Sequence, residues 1–116
     1  DQAKAAQEKI KECEERLALH DTDIAISYHN RRAYRASINR LTAIMTTYPE
    51  FSRLDMVYFY LGDCHFLLKQ YDQALPFFTK VVTDAPDGKL AKKAAKRLAE
   101  IKKLPPAPKA PADKAS

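Results

Sequence analysis

The stretch from Leu54 to Pro86 constrains the chain most, because its small, aromatic and aliphatic residues stand at the offsets of one complete helical hairpin. With Asp55 as position 1 of a 34-residue unit, Tyr58 falls at 4, Leu61 at 7, Gly62 at 8, Tyr71 at 17, Ala74 at 20, Phe78 at 24 and Pro86 at 32. The offsets have a physical reason. Gly62 and Ala74 are small where two antiparallel helices cross closely, and the larger residues fill the space beside that crossing. Pro86 stops the second helix, since proline has no N–H to donate and its ring clashes one turn back.

Residues 18–49 repeat the unit. Moving Tyr71, Ala74, Phe78, Val81 and Pro86 back by 37 positions lands on Tyr34, Ser37, Leu41, Ile44 and Pro49, while Ala25 falls where Gly62 stands and Tyr28 where His65 stands. The three extra residues fit a longer link at Glu50–Leu54, in which Ser52 is expected to cap the next helix with Asp55 at its third position. Two such hairpins, the first degenerate, predict an all-α fold of tetratricopeptide (TPR) type, an α-α superhelix of antiparallel helical hairpins. Helices are expected over 35–48, 53–69, 73–85 and 89–103. Beta structure is not expected: the chain has two glycines, and its one Asp-Gly pair, Asp87-Gly88, follows a proline and precedes a Lys/Ala run. Pro76 is tolerated if Asp72 caps its helix, which puts the proline at the edge of the first turn.

The amino-terminal segment carries Ala3, Ala6, Ile10, Cys13, Leu17, His20 and Ile24 at alternating steps of three and four, one stripe of a helix. It predicts a helix over 2–31, or two over 2–19 and 20–31, with continuity expected because no Gly or Pro interrupts it. The stripe is expected to pack on its own domain; a dimerising coiled coil is the alternative, and sustained ones show more heptads with larger core residues. At the other end, Leu90, Ala94, Leu98 and Ile101 face inward from a capping helix whose outer face is Lys92, Lys93, Lys96, Arg97, Lys102 and Lys103. The domain is expected to span 1–103, and the Pro/Ala/Lys-rich residues 104–116 to form an extended, disordered tail.

The 116 residues are 46% hydrophobic, enough for one modest core. The formal charge of +5 sits mostly in Lys89–Lys103, a capping helix without the interleaved aromatic residues that stack on bases, so nucleic acid is not an expected partner. No apolar run approaches the ~20 residues of a membrane span, and no signal peptide opens the chain. Cys13 and Cys64 are too few for a disulfide framework and fit no zinc spacing, although an oxidising compartment leaves a bridge between them open. There is no phosphate loop, metalloprotease motif or nucleophile elbow. His20, Asp21 and Asp23 do not converge on one point of a helix, and His65 occupies an internal packing position. No enzyme activity, cofactor, catalytic residue or metal site is therefore expected.

Binding remains. In stacked hairpins the first helix of each unit lines the concave side through positions 2, 5, 9, 12 and 13. Here those are Leu19, Thr22, Ile26, His29 and Asn30, then Met56, Phe59, Asp63, Phe66 and Leu67. The groove, with Ile26, His29, Met56, Phe59, Asp63, Phe66 and Leu67 as its candidates, is apolar and suits a hydrophobic peptide or a partner helix. In the alternative, Phe59 and Phe66 only pack against the capping helix.

One stretch is more particular. Arg16-Leu17-Ala18-Leu19-His20-Asp21, then Ala25 and Tyr28, then Arg31 through Arg40 with Ala33-Tyr34 and Ile38-Asn39-Arg40, and finally Tyr48-Pro49, resembles the carboxy-terminal half of BamD-type outer membrane lipoproteins over residues 9–103. The resemblance implies a periplasmic TPR scaffold of the β-barrel assembly machinery, held at the inner face of the outer membrane by a lipid anchor. It implies docking to the POTRA domains of the barrel component and contact with other assembly lipoproteins. By that analogy Arg40, with Asn39 and Arg31, is the candidate contact to an acidic partner group. Arg32 stands where the family has Gly, and Asp21-Thr22-Asp23 replaces an acidic-aromatic pair. The lipidated cysteine and upstream repeats of the family are not in this sequence, so a fragment of a longer lipoprotein is expected. A peptide-binding TPR adaptor of another envelope or cytoplasmic pathway, using the groove, is the alternative function.

Overall fold

Two prolines and two left-handed turns divide the chain. The structure, a computed structural model, describes residues 1–104. They form five helices and no strand: α1 (Gln2–Asn30), α2 (Tyr34–Thr47), α3 (Leu54–Leu67), α4 (Tyr71–Asp84) and α5 (Lys89–Lys103). α2 and α4 each stop two residues before a proline, and the residue preceding each proline is non-helical: Tyr48 has φ −126° and ψ 66°, and Ala85 φ −141° and ψ 65°. A following proline excludes the helical conformation there.

Within each hairpin the turn is made by a residue of positive φ, Arg32 at 67° and Lys69 at 64°. In both turns the amide three residues past the helix bonds back to the third carbonyl from its end, Ala33 to Tyr28 and Gln70 to His65, with an inner bond from Arg32 to His29 and from Lys69 to Phe66. This is the Schellman closure, whose left-handed position favours glycine.

The hairpins close over small residues. A Cβ on Gly62 would stand 2.9 Å from two ring carbons of Phe78, so the ring lies directly on the glycine backbone. At the matching crossing of α1 and α2, the Ser37 hydroxyl donates to the Ala25 carbonyl at 2.8 Å. One core gathers Ala18, Ala25, Leu41, Ile44, Phe51, Val57 and Leu61; the other gathers Phe59, Ala74, Phe78, Val81, Ala91 and Ala94. α3 contributes to both cores and joins the hairpins. α5 packs on α3 and α4 as α3 packs on α1 and α2, so it stands where the first helix of a third unit would.

Three expectations are corrected. α1 is one continuous helix, but the stripe from Ala3 to Leu17 is solvent-exposed; the face that packs is Ala18, Thr22 and Ala25, about 100° round the helix. Ser52 does not cap α3. Its amide and hydroxyl bond Glu15 of α1, and the N-cap residue is Arg53, which makes no side-chain cap bond. Arg53 instead pairs with Asp55 at 3.0 Å. α4 begins at Tyr71 and not after Asp72, so Pro76 lies within the helix, where it denies a donor to the Asp72 carbonyl. Both residues are exposed, and water reaches that carbonyl. Of the expected tail, only Leu104 falls among the described residues.

Candidate protein-docking surface

Tyr28 lies in the last turn of α1, where the chain is about to reverse into α2, and two arginines converge on its ring. The Arg31 guanidinium carbon is 5.3 Å from the ring centroid and that of Arg40 5.9 Å, one reaching from the cap of α1 and the other from the second turn of α2. The electron-rich face of the phenol draws both cations despite their mutual repulsion. Arg31 is further held by Ser27, donating to its carbonyl at 3.4 Å and to its hydroxyl at 3.2 Å. Arg40 reaches Asp21 only at 3.9 Å and its side chain remains 40% exposed. A guanidinium so exposed can bind a carboxylate from outside in its forked geometry. Asn39 beside it is exposed. The structure thus brings Arg31 and Arg40 together on Tyr28 and leaves Asn39 at their edge.

The expected groove fares differently. Asp63 is buried and accepts from two sides: His29 Nε2 lies 2.7 Å from Oδ2, and Arg97 Nε donates to Oδ1 at 2.8 Å. The other ring nitrogen of His29 is 3.2 Å from the Asn30 side-chain oxygen, so a charged imidazolium donates from both nitrogens. The bond to Asp63 is the main reason the His29 pKa lies above its usual 6.5, against burial, which lowers it. Phe59 is buried against Phe78, with ring centroids 5.9 Å apart, and Phe66 is covered by Arg97, whose guanidinium carbon is 4.4 Å from the ring centroid. Phe59, Asp63 and Phe66 are therefore not open to a ligand; they form the joint between units. Ile26 and Met56 are half-buried, and Leu67 is exposed. The Arg97 partnership was missed from sequence, where Arg97 counted as part of a solvated lysine face. Its signal is spacing: His29 to Asp63 and Asp63 to Arg97 are both 34 residues apart, one repeat length.

The other singled-out groups are accounted for locally. His65 Nδ1 pairs with the Gln70 side-chain oxygen at 2.8 Å and its ring stacks on Phe77. Both cysteines are free: Cys13 is exposed, while Cys64 is buried and its thiol is pushed up to about 11, chiefly by that burial. No group of His, Cys, Asp and Glu among the described residues is arranged to hold a metal ion.

The model of the outer membrane lipoprotein family YfiO matches residues 2–63, more than half of the chain. The chain belongs to the YfiO family. The match takes in α1, α2 and α3 as far as Asp63, and with them Tyr28, Arg31, Asn39 and Arg40; α4 and α5 lie beyond it. No curated protein and no solved structure matches the chain. YfiO membership implies an envelope location, and no described helix is long and apolar enough to cross a membrane.

Proposed function

We propose that the chain is a non-enzymatic scaffold of the outer membrane β-barrel assembly machinery, docking through Arg40, with Arg31 and Asn39, onto an acidic patch of a POTRA domain. The observation that carries this reading is the pair of guanidinium groups anchored on Tyr28, one of them half-exposed. A cation held in place by an aromatic ring loses less side-chain entropy when it meets a carboxylate than a free one does. Contacts with other assembly lipoproteins belong to the same reading, as does a lipid anchor on a longer form of the chain. The peptide-groove alternative loses support, because Phe59 and Asp63 are consumed by internal packing.

Titration calorimetry of the chain against a recombinant POTRA array tests the docking. Arg40→Glu is expected to weaken binding about a hundredfold and Arg40→Ala about tenfold, in keeping with a charge-assisted pair at an interface. Unchanged affinity in both variants would remove the docking assignment while leaving the fold intact.

A further inference from the structure

The hairpins stack side by side, so the ends of α1, α3 and α5 and the starts of α2 and α4 share one edge of the molecule, while the links into α3 and α5 share the other. Charge is sorted between the two. The first edge, residues 29–35, 67–73 and 101–104, carries Arg31, Arg32, Arg35, Lys69, Lys102 and Lys103 against one carboxylate, Asp72. The second, residues 47–55 and 84–89, carries Glu50, Asp55, Asp84 and Asp87 against Arg53 and Lys89. A unit stacked before α1 or after α5 would cover the faces of those helices and leave the turns of the first edge open.

Local structure does not account for these cations. Arg32 and Lys69, both exposed, are the two residues of positive φ among the described residues, at a turn position that glycine fills without strain. The dipole of the preceding helix favours a cation nearby, but Arg31 supplies one from the cap of α1 with an ordinary φ of −90°. Arg35 stands in the first turn of α2, where the dipole disfavours positive charge and no acidic residue offsets it. Backbone strain kept at an exposed position, in two units alike, points to a use for the charge.

One apolar group joins the row. Leu67, two residues before Lys69, is 37% exposed, the only large apolar side chain so open on α2, α3, α4 and α5. The clefts lined by Tyr48, Pro49 and Phe51 and by Leu54, Asp55 and Asp84 open at the second edge. Cations repeated from turn to turn, with a leucine among them, match an extended anionic plane that has an apolar layer beneath it.

We propose that this edge lies against an anionic phospholipid surface, with Arg32, Arg35 and Lys69 at the headgroups and Leu67 at the boundary of the acyl layer. YfiO membership implies an envelope location, where such a surface is within reach. The proposal goes beyond the docking reading and does not rest on it, since it makes no use of Arg40.

Flotation with phosphatidylglycerol-rich vesicles is expected to carry the chain at low salt and to release it as salt rises, and phosphatidylcholine vesicles are expected not to carry it. Arg32→Gly with Lys69→Gly is expected to lower the partition coefficient about twentyfold, at about fivefold per cation. Glycine relieves both positive φ values, so binding lost in this pair is not folding lost. Lys92→Gln with Lys93→Gln removes the same charge near the second edge, more than a screening length away, and should lower the coefficient less than about twofold. The chain has no tryptophan, so Leu67→Trp is a single reporter whose emission should shift to the blue on vesicle binding, while Thr46→Trp, exposed near the second edge, should not shift. Retention indifferent to the glycine pair, an equal loss from the lysine pair, or no shift at Leu67→Trp would each overturn the proposal. So would tighter binding to soluble polyglutamate than to vesicles, which would assign the edge to an acidic protein.

Discussion

The two hairpins make the same turn and the same stop, yet close their crossings with different chemistry. α1–α2 and α3–α4 both turn through a left-handed cationic residue and both end ahead of a proline. At the crossing, the first unit pairs Ala25 with the Ser37 hydroxyl and keeps Leu41 in its core, while the second lays the Phe78 ring on Gly62. The repeat position thus demands close approach and not glycine as such. Glycine is required only where the filler across the crossing is as thick as an aromatic ring. The joints differ in the same way: position 12 of one unit meets position 9 of the next as the ion pair His29–Asp63 in one case and as Arg97 over Phe66 in the other.

The joints give the largest expected effect. Asp63→Ala leaves two cations, His29 and Arg97, facing one another without the carboxylate that both donate to. We expect a loss of about 3 kcal/mol, the low end for breaking a buried pair because Arg97 is 30% exposed. Urea unfolding measures it, and a loss under about 1 kcal/mol would show that apolar packing alone joins the units. Asp63→Asn, which keeps an acceptor, is expected to lose less.

Next comes the crossing itself. Gly62→Ala places a methyl group against a fully buried ring, at a net cost of about 2 kcal/mol after the helix-propensity gain of alanine. Adding Phe78→Leu copies the Ala25/Leu41 arrangement of the first unit and is expected to recover part of that loss relative to the sum of the two single changes. Strict additivity would break the comparison, since it would mean the two positions do not sense one another. A smaller effect of opposite sign is expected at the turns. Arg32→Gly and Lys69→Gly each relieve a positive φ and should stabilise by about 0.5 kcal/mol, equally in the two units if their turns are equivalent.

What was legible in the sequence was local. The offsets of Leu61, Gly62, Ala74 and Phe78 encode a crossing between neighbouring helices, and the all-helical hairpin fold follows from them. The stripe on α1 misled because hydrophobicity ranks Ile10 and Leu17 above Ala18, Thr22 and Ala25, yet close helix packing selects the small residues. Ser52 carries the chemistry of a cap, but Glu15, 37 residues away, competes for the same donors. The Asp63 joint needs the stacking of three units to be known before Arg97 can be placed on it. Tyr28 looks like a packing residue until the arginines on either side of the turn are brought over its ring.

The smallest effect concerns protons, and it sharpens the contrast at position 12, where the first unit has His29 and the second Phe66. The imidazole of His29 lies edge-on to the rings of Tyr34 and Tyr60, with Asn30 and Asp63 at its nitrogens and Arg97 on the far side of Asp63. Folding raises its pKa, so the native state holds the proton more tightly than the unfolded chain does. The stabilisation is therefore fully present below the unfolded value of 6.5 and is lost as pH rises through the higher folded value. Unfolding free energy is expected to fall gently across neutral pH, in the direction opposite to that of a carboxylate whose pKa an ion pair depresses. His29→Phe makes the first unit match the second at this position and should flatten that slope, while Arg97→Gln, which removes the competing cation from Asp63, should move its midpoint to higher pH. A slope that survives His29→Phe would assign the proton to another group and leave the first joint, like the second, without an acid–base component.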